Sequence, residues 1–209
     1  MSRIAYVNGR YVPHRAAQVH VEDRGYQFAD GVYEVCEIRA GQLVDERRHM
    51  DRLERSLNEL RIALPMRRNA LSLVFRETVA RNRVRDGILY LQVTRGVARR
   101  DHAFPAPGTP PSIVVTAKNY DLDRLEQGAA EGIAVVSVSE NRWPRVDIKS
   151  VSLLPNVLAK QAAREAFVTS ATQFVMPVVR IDGRPVGNGA PGLIASALRR
   201  DYHKHAEIA

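Results

Sequence analysis

The sequence predicts a mixed fold in two parts, an α+β domain over residues 1–119 followed by an α/β domain over 120–209. Three observations carry this reading. Short segments with apolar residues at every second position are interleaved with longer segments spaced at three and four. A polar stretch containing two glycines, 119–132, divides one such series from another. Beyond it the order is strand, helix, strand, helix, the pattern of an α/β unit.

The elements follow in order along the chain. Ile4-Ala5-Tyr6-Val7 and Tyr11-Val12 flank Asn8-Gly9, which predicts a hairpin. Residues 32–39 alternate, with Val32, Glu34 and Cys36 on one face and Tyr33, Val35 and Glu37 on the other. Ala40-Gly41 then turns the chain into 42–44. Met50, Leu53, Leu57 and Leu60 give a helix over 46–62, and Leu71, Val74, Phe75 and Val79 give a second over 68–82. Residues 87–95 and 112–118 read as strands on either side of a proline-rich loop at 105–111. In the second part, Ile133 to Val138 is a strand and 150–165 a turn followed by a helix. Residues 167–181 are strand-like with Asp182-Gly183 as a hairpin turn, and 190–204 is an amphipathic helix.

Bulk properties exclude several classes. The net charge is +8, but the basic residues are nearly all arginine, spread along the chain without a basic tail. That describes a solvated surface and no nucleic-acid partner. No apolar run reaches the roughly 18 residues of a membrane span. The N-terminus lacks the pattern of a secretory signal. Cys36 is the only cysteine, so no intrachain disulfide forms and a reducing cytoplasm is expected. No metal site is expected.

The lysines are more telling. There are four, Lys118, Lys149, Lys160 and Lys204, in a chain with 31 basic residues. Lys149 lies in Val146-Asp147-Ile148-Lys149-Ser150-Val151, an apolar neighbourhood after a strand-like run. Arginine cannot replace a lysine that must lose its proton. A lone lysine is more often a snorkelling surface group, so other segments must decide. Asp30-Gly31-Val32-Tyr33-Glu34-Val35 puts a phenol on a strand. His49 to Ser56 opens a helix with Arg52, whose planar fork suits a phosphate. Thr94-Arg95-Gly96 leads to Arg100-Asp101-His102, two cationic groups that could grip a carboxylate. Each alone has an ordinary surface or packing explanation.

Taken in order, these segments resemble the class IV (fold type IV) pyridoxal-phosphate (PLP) aminotransferases, in the branch of the D-amino-acid aminotransferases. The motifs are Val7-Asn8-Gly9, the run from Asp23 to Val35, His49 to Leu60, Tyr90 to Gly96, and Ile148-Lys149-Ser150 with Leu153-Leu154 and Asn156. The resemblance implies PLP as cofactor and transamination between D-amino acids, such as D-alanine, and 2-oxo acids. It implies that Lys149 bonds the cofactor and moves the proton, and that Arg52 binds its phosphate with Ser170, Ala171 and Thr172. It implies that Tyr33, Arg100 and His102 hold the substrate carboxylate. The Arg-x-His feature sets this branch apart from branched-chain aminotransferases and aminodeoxychorismate lyases, the alternatives on the same fold. A homodimer is implied as well.

One junction departs from the family. The helix ending Ala163-Arg164-Glu165-Ala166 passes into Phe167-Val168-Thr169 with no helix-stop residue between. Family members carry a segment there that holds the pyridine nitrogen with an acidic side chain. The second domain is therefore expected to be shortened. Three readings follow: a sequence from which the segment is omitted, which the intact flanking motifs favour; an internal deletion that leaves an impaired enzyme; or a non-catalytic ligand-binding or dimer-interaction subunit.

Overall fold

A computed structural model of the chain describes residues 3–162 and 175–206. The Ala166/Phe167 junction and the predicted phosphate turn Ser170, Ala171 and Thr172 lie outside the described residues. The chain divides into two units. The first runs to Asn119 and takes in Pro144–Ser152; the second comprises Tyr120–Trp143 and the chain from Leu153. The expected boundary at 119/120 thus needs one amendment: the segment bearing Lys149 packs with the first unit.

In the first unit, β1 (Ile4–Val7) and β2 (Arg10–Pro13) form the predicted hairpin. Asn8 and Gly9 both have positive φ, as a tight hairpin turn requires. A five-residue helix, α1 (Arg24–Phe28), is capped by Asp23 and leads into β3 (Gly31–Arg39). Next come β4 (Gln42–Leu43), α2 (Glu46–Glu59), α3 (Arg68–Asn82), β5 (Gly87–Thr94) and β6 (Ser112–Asn119). The sheet order is β2-β1-β6-β5-β3-β4, with antiparallel neighbours throughout.

Alternation along the strands assigns the two faces. Val32, Cys36, Leu89, Leu91 and Val93 are buried in one core with Met50, Leu53, Leu57, Leu71 and Phe75 of the helices. Tyr33, Tyr90 and Gln92 share the opposite, half-buried face, through the register pairs Tyr33↔Gln92 and Val35↔Tyr90. The predicted alternation fails at Glu37 and Ile38, which are both buried. There Arg39 partners Glu37, and β4 pairs along that end of the strand.

The second unit holds α4 (Leu122–Glu131), β7 (Ile133–Val135), α5 (Leu154–Ala162), β8 (Val178–Ile181), β9 (Arg184–Pro185) and α6 (Leu193–His205). β7 and β8 are parallel and β9 returns antiparallel through Asp182-Gly183. The polar stretch read as a join is mostly helix. Asp121 caps it by accepting from the Arg124 amide, and Gly132 ends it at φ 76°. Its polar composition and its glycines, Gly128 within it and Gly132 at its end, favour a linker in the sequence, although Leu122, Leu125 and Ala129 recur at helical spacing and Ala129 is buried.

Gly96 ends β5 at φ 96°, and a Cβ there would lie 2.0 Å from the Pro110 carbonyl oxygen. Gly96→Ala combines a left-handed backbone with a clash, so a loss of about 2–3 kcal/mol is expected. Urea unfolding measures it; an unchanged midpoint would show that the loop yields freely.

Candidate active site

Lys149 is delivered by pairing along the edge of a strand. Between Val135 and Lys149 the chain forms no strand, so Lys149 does not end one as the sequence suggested. The segment instead runs beside the start of β3, on the side that β4 leaves open. The Tyr33 amide donates to the Lys149 carbonyl at 3.0 Å, and the Val151 amide donates to the Gly31 carbonyl at 3.1 Å. Val32 and Ser150 form an antiparallel bridge, and Ile148 inserts into the core.

One stripe of α2 holds this strap from the other side. Residues spaced by three and four share a helix face. Ser56 Oγ accepts from the Lys149 amide at 3.4 Å. Arg55 donates to the Asp147 carbonyl at 2.7 Å, and Glu59 pairs with Arg145 at 2.6 Å. One turn back, His49 and Arg52 reach Glu34 on β3.

The amine itself is half-buried. Lys149 Nζ lies 3.4 Å from the Tyr33 hydroxyl and 4.4 Å from the centre of its ring. Tyr33 stacks on Tyr90 with centroids 5.7 Å apart, and the Tyr90 hydroxyl donates to Gln92 at 2.8 Å. Burial, with the neighbouring Tyr33, pushes the Tyr90 hydroxyl up to about 12. It therefore stays protonated and remains a donor at neutral pH.

Arg52 Nε and Nη2 donate to the two oxygens of Glu34 at 2.6 and 2.7 Å. His49 Nδ1 lies 2.9 Å from Glu34 Oε2. Burial alone would push the Glu34 carboxyl up, but the bonds from Arg52 and His49 outweigh it and hold the group below the usual carboxylate range. The ionised partner in turn raises the Arg52 guanidinium.

A second charged cluster sits just past the C-terminal end of β5. Asp30 accepts from Arg24 Nε at 2.8 Å and from Arg95 Nε and Nη2 at 2.7 and 3.0 Å. Arg24 Nη1 also donates to the carbonyls of Asp101 and Ala103 at 2.7 and 3.3 Å. These carbonyls bracket His102. Arg100 and His102 are exposed and both lie against Phe28, at 5.4 and 5.6 Å from its ring centre.

Of the predicted site residues, Tyr33, Arg52 and Lys149 come together around β3 and α2. Arg100 and His102 do not join them within one chain: neither has a hydrogen bond or ring contact with Tyr33 or Lys149. Sequence reasoning passed over Glu34, His49, Ser56, Asp30 and Arg24. Glu34 had a detectable signal, a carboxylate on the apolar face of an alternating strand, which must find a partner.

Comparison with known proteins bears on this arrangement. The family profile for amino-transferase class IV matches residues 31–172. The chain is 41% identical over 170 residues to a D-alanine aminotransferase of Staphylococcus aureus, covering 80% of this chain and 59% of that protein. It is 43% identical over 159 residues to the one from Bacillus licheniformis, covering 76% and 55%. The chain thus spans less than two thirds of the length of these relatives. Among solved structures, the branched-chain amino acid aminotransferase of Escherichia coli matches with a TM-score of 0.85 at 15% identity, over 98% of this chain and 95% of that one. That of Thermoproteus uzoniensis, solved with norvaline, matches at 0.82 and 17%, over 98% and 94%. These structural likenesses carry the fold, and the profile and the identity to the bacterial relatives carry the membership: the chain belongs to the class IV aminotransferases.

Proposed function

We propose that the chain is a PLP-dependent aminotransferase that moves an amino group between D-amino acids, such as D-alanine, and 2-oxo acids. The Lys149–Tyr33 pair carries the reading: a half-buried lysine whose amine makes, among the described residues, one long hydrogen bond to a phenol. Such an amine is available for covalent bonding to an aldehyde. Arg52, held on Glu34 of β3, has no partner for Nη1 among the described residues, which leaves that nitrogen to a phosphate. This donor set fits PLP, which carries an aldehyde and a phosphate.

When bound, the cofactor supplies a ring that withdraws electrons from the carbon that loses its proton. The chain's own groups do the rest. Lys149 Nζ would take the proton from the substrate carbon and deliver it to the carbon that was the cofactor's aldehyde. The Tyr33 hydroxyl and ring hold that amine on the sheet face. Arg52 Nη1 would hold the phosphate, with Ser170, Ala171 and Thr172, which lie outside the described residues, as the other groups expected there. Arg100 makes no ion pair among the described residues, so its guanidinium is available, with His102, to a substrate carboxylate; because neither reaches Tyr33 within one chain, joining the three at one carboxylate is left to the homodimer. We further propose a cytoplasmic homodimer with small amino acids and oxo acids as its partners. No helix among the described residues is long and apolar enough to cross a membrane.

The test is a PLP titration followed by an amino-donor assay. A visible absorbance band should appear, borohydride should fix it on Lys149, and D-alanine with a 2-oxo acid should yield pyruvate. L-leucine as the better donor would favour the branched-chain alternative. A protein that takes up no PLP would refute the enzyme reading and leave a non-catalytic subunit.

A further inference from the structure

Arg52 is usually the sort of side chain that moves freely, since it ends in a long flexible stem and is 41% exposed. Here it does not move freely. Two of its three guanidinium nitrogens are committed to one carboxylate in the forked geometry that arginine and carboxylates share. That carboxylate, Glu34, is 3% exposed and lies on β3 next to Tyr33. His49, one turn before Arg52, donates to the same oxygen that receives Arg52 Nη2. The third nitrogen, Nη1, has no partner among the described residues.

Simple packing does not account for a carboxylate at this position. The neighbouring buried positions of the strand are Val32 and Cys36. Burying a carboxylate beside them costs stability unless it is paired, and an apolar residue of similar size would pack there at least as well. The arrangement does give Arg52 a fixed place relative to β3, because its guanidinium is tied to a residue of that strand.

We propose that Glu34 is the positioning residue for the cofactor phosphate: it clamps Nε and Nη2 of Arg52, so that Nη1 alone meets the phosphate from a fixed place. This rests on the PLP reading above. His49 completes the clamp by holding the second oxygen of Glu34. The ligand chemistry is a phosphate monoester, and the effect is confined to ligands that carry one.

The experiment measures equilibrium binding of PLP and of pyridoxal, which lacks the phosphate, by absorbance and tryptophan fluorescence. Glu34→Gln keeps the size of the side chain but turns an N–H toward the guanidinium, so it opens the clamp. The dissociation constant for PLP should rise about tenfold, the scale of one lost charged hydrogen bond, while that for pyridoxal stays the same. Arg52→Lys should lose the same preference, and adding Glu34→Gln to it should cost nothing more, since the two act as one unit. If Glu34→Gln fails to fold, Glu34→Asp serves instead, because its carboxylate, set back by one methylene, no longer reaches Nε and Nη2 where Arg52 now lies. Equal weakening of PLP and pyridoxal, or unchanged PLP affinity, overturns the proposal. A wild-type protein that binds neither ligand overturns the PLP reading itself and this inference with it.

Discussion

Lys149→Ala should lower the rate of transamination by a factor of about 10³ or more, within the range for a group that moves the reacting proton. The covalent bond to the cofactor should disappear with it, so borohydride should fix no cofactor on the variant. Folding should be little affected. The strap is held through backbone groups of residue 149, its carbonyl to Tyr33 and its amide to Ser56, and these survive the substitution. The variant should therefore unfold at nearly the wild-type temperature while losing activity. A small primary amine added to the solution should restore part of the rate, since it can supply the missing base. A variant that keeps its rate and its borohydride adduct would assign the chemistry to Lys118, Lys160 or Lys204 instead.

The largest effect on stability is expected at Asp30→Ala. Arg24 and Arg95 are 4% and 9% exposed, and Asp30 is the one carboxylate that both contact. Removing it leaves two buried guanidinium groups facing each other with no counter-charge. Breaking a buried ion pair from one side costs about 3–5 kcal/mol. Arg95 keeps the carbonyls of Leu60 and Arg61 as acceptors, which places the loss toward the lower part of that range. Asp30→Asn should fall between the variant and wild type. The pH dependence follows from the same geometry. Burial acts to raise the Asp30 carboxyl, but the bonds from Arg95 and Arg24 prevail and hold it below its usual 3.8. A carboxyl lowered on folding stabilises fully above its unfolded value, and that stability is lost as the pH falls through the lower folded value. Urea unfolding between pH 2 and pH 7 should show the wild type losing this part of its stability below about pH 4. Asp30→Ala should lack that part at every pH. Because Arg24 also holds the carbonyls on either side of His102, the variant should weaken substrate binding more than cofactor binding. A change of less than 1 kcal/mol would mean that the two arginines find other partners.

Much of this was legible from local chemistry. Asn8-Gly9 and Asp182-Gly183 marked their hairpins because few other residue pairs tolerate positive φ twice running. The helix at Arg68–Asn82 matched its predicted bounds, since its apolar residues repeat regularly and Arg83 ends it in a left-handed conformation. The helix at Leu122–Glu131 reads as a linker in the sequence because Gly128, Gly132 and a run of polar residues outweigh the helical spacing of Leu122, Leu125 and Ala129. At the site, lysine and arginine carried recognisable chemistry, but the groups that hold them did not. Ser56 and Glu34 act through residues 93 and 18 positions away, and periodicity carries no information about such pairings. Arg100 and His102 were recognisable as a pair, yet the fold of one chain seats them on Phe28.

The strap that carries Lys149 also dictates an order of events during folding. All six strands of the first sheet are present once residue 119 has been made. The amine that meets Tyr33 comes 116 residues after it, with most of α4 and β7 made in between. Contacts closed over long loops form late. During synthesis the sheet can therefore assemble while the Gly31–Tyr33 edge of β3 still has no strand beside it. An open edge of that kind is a template for pairing with another nascent chain. The step that completes the reactive centre is thus the same step that protects the growing protein from its neighbours.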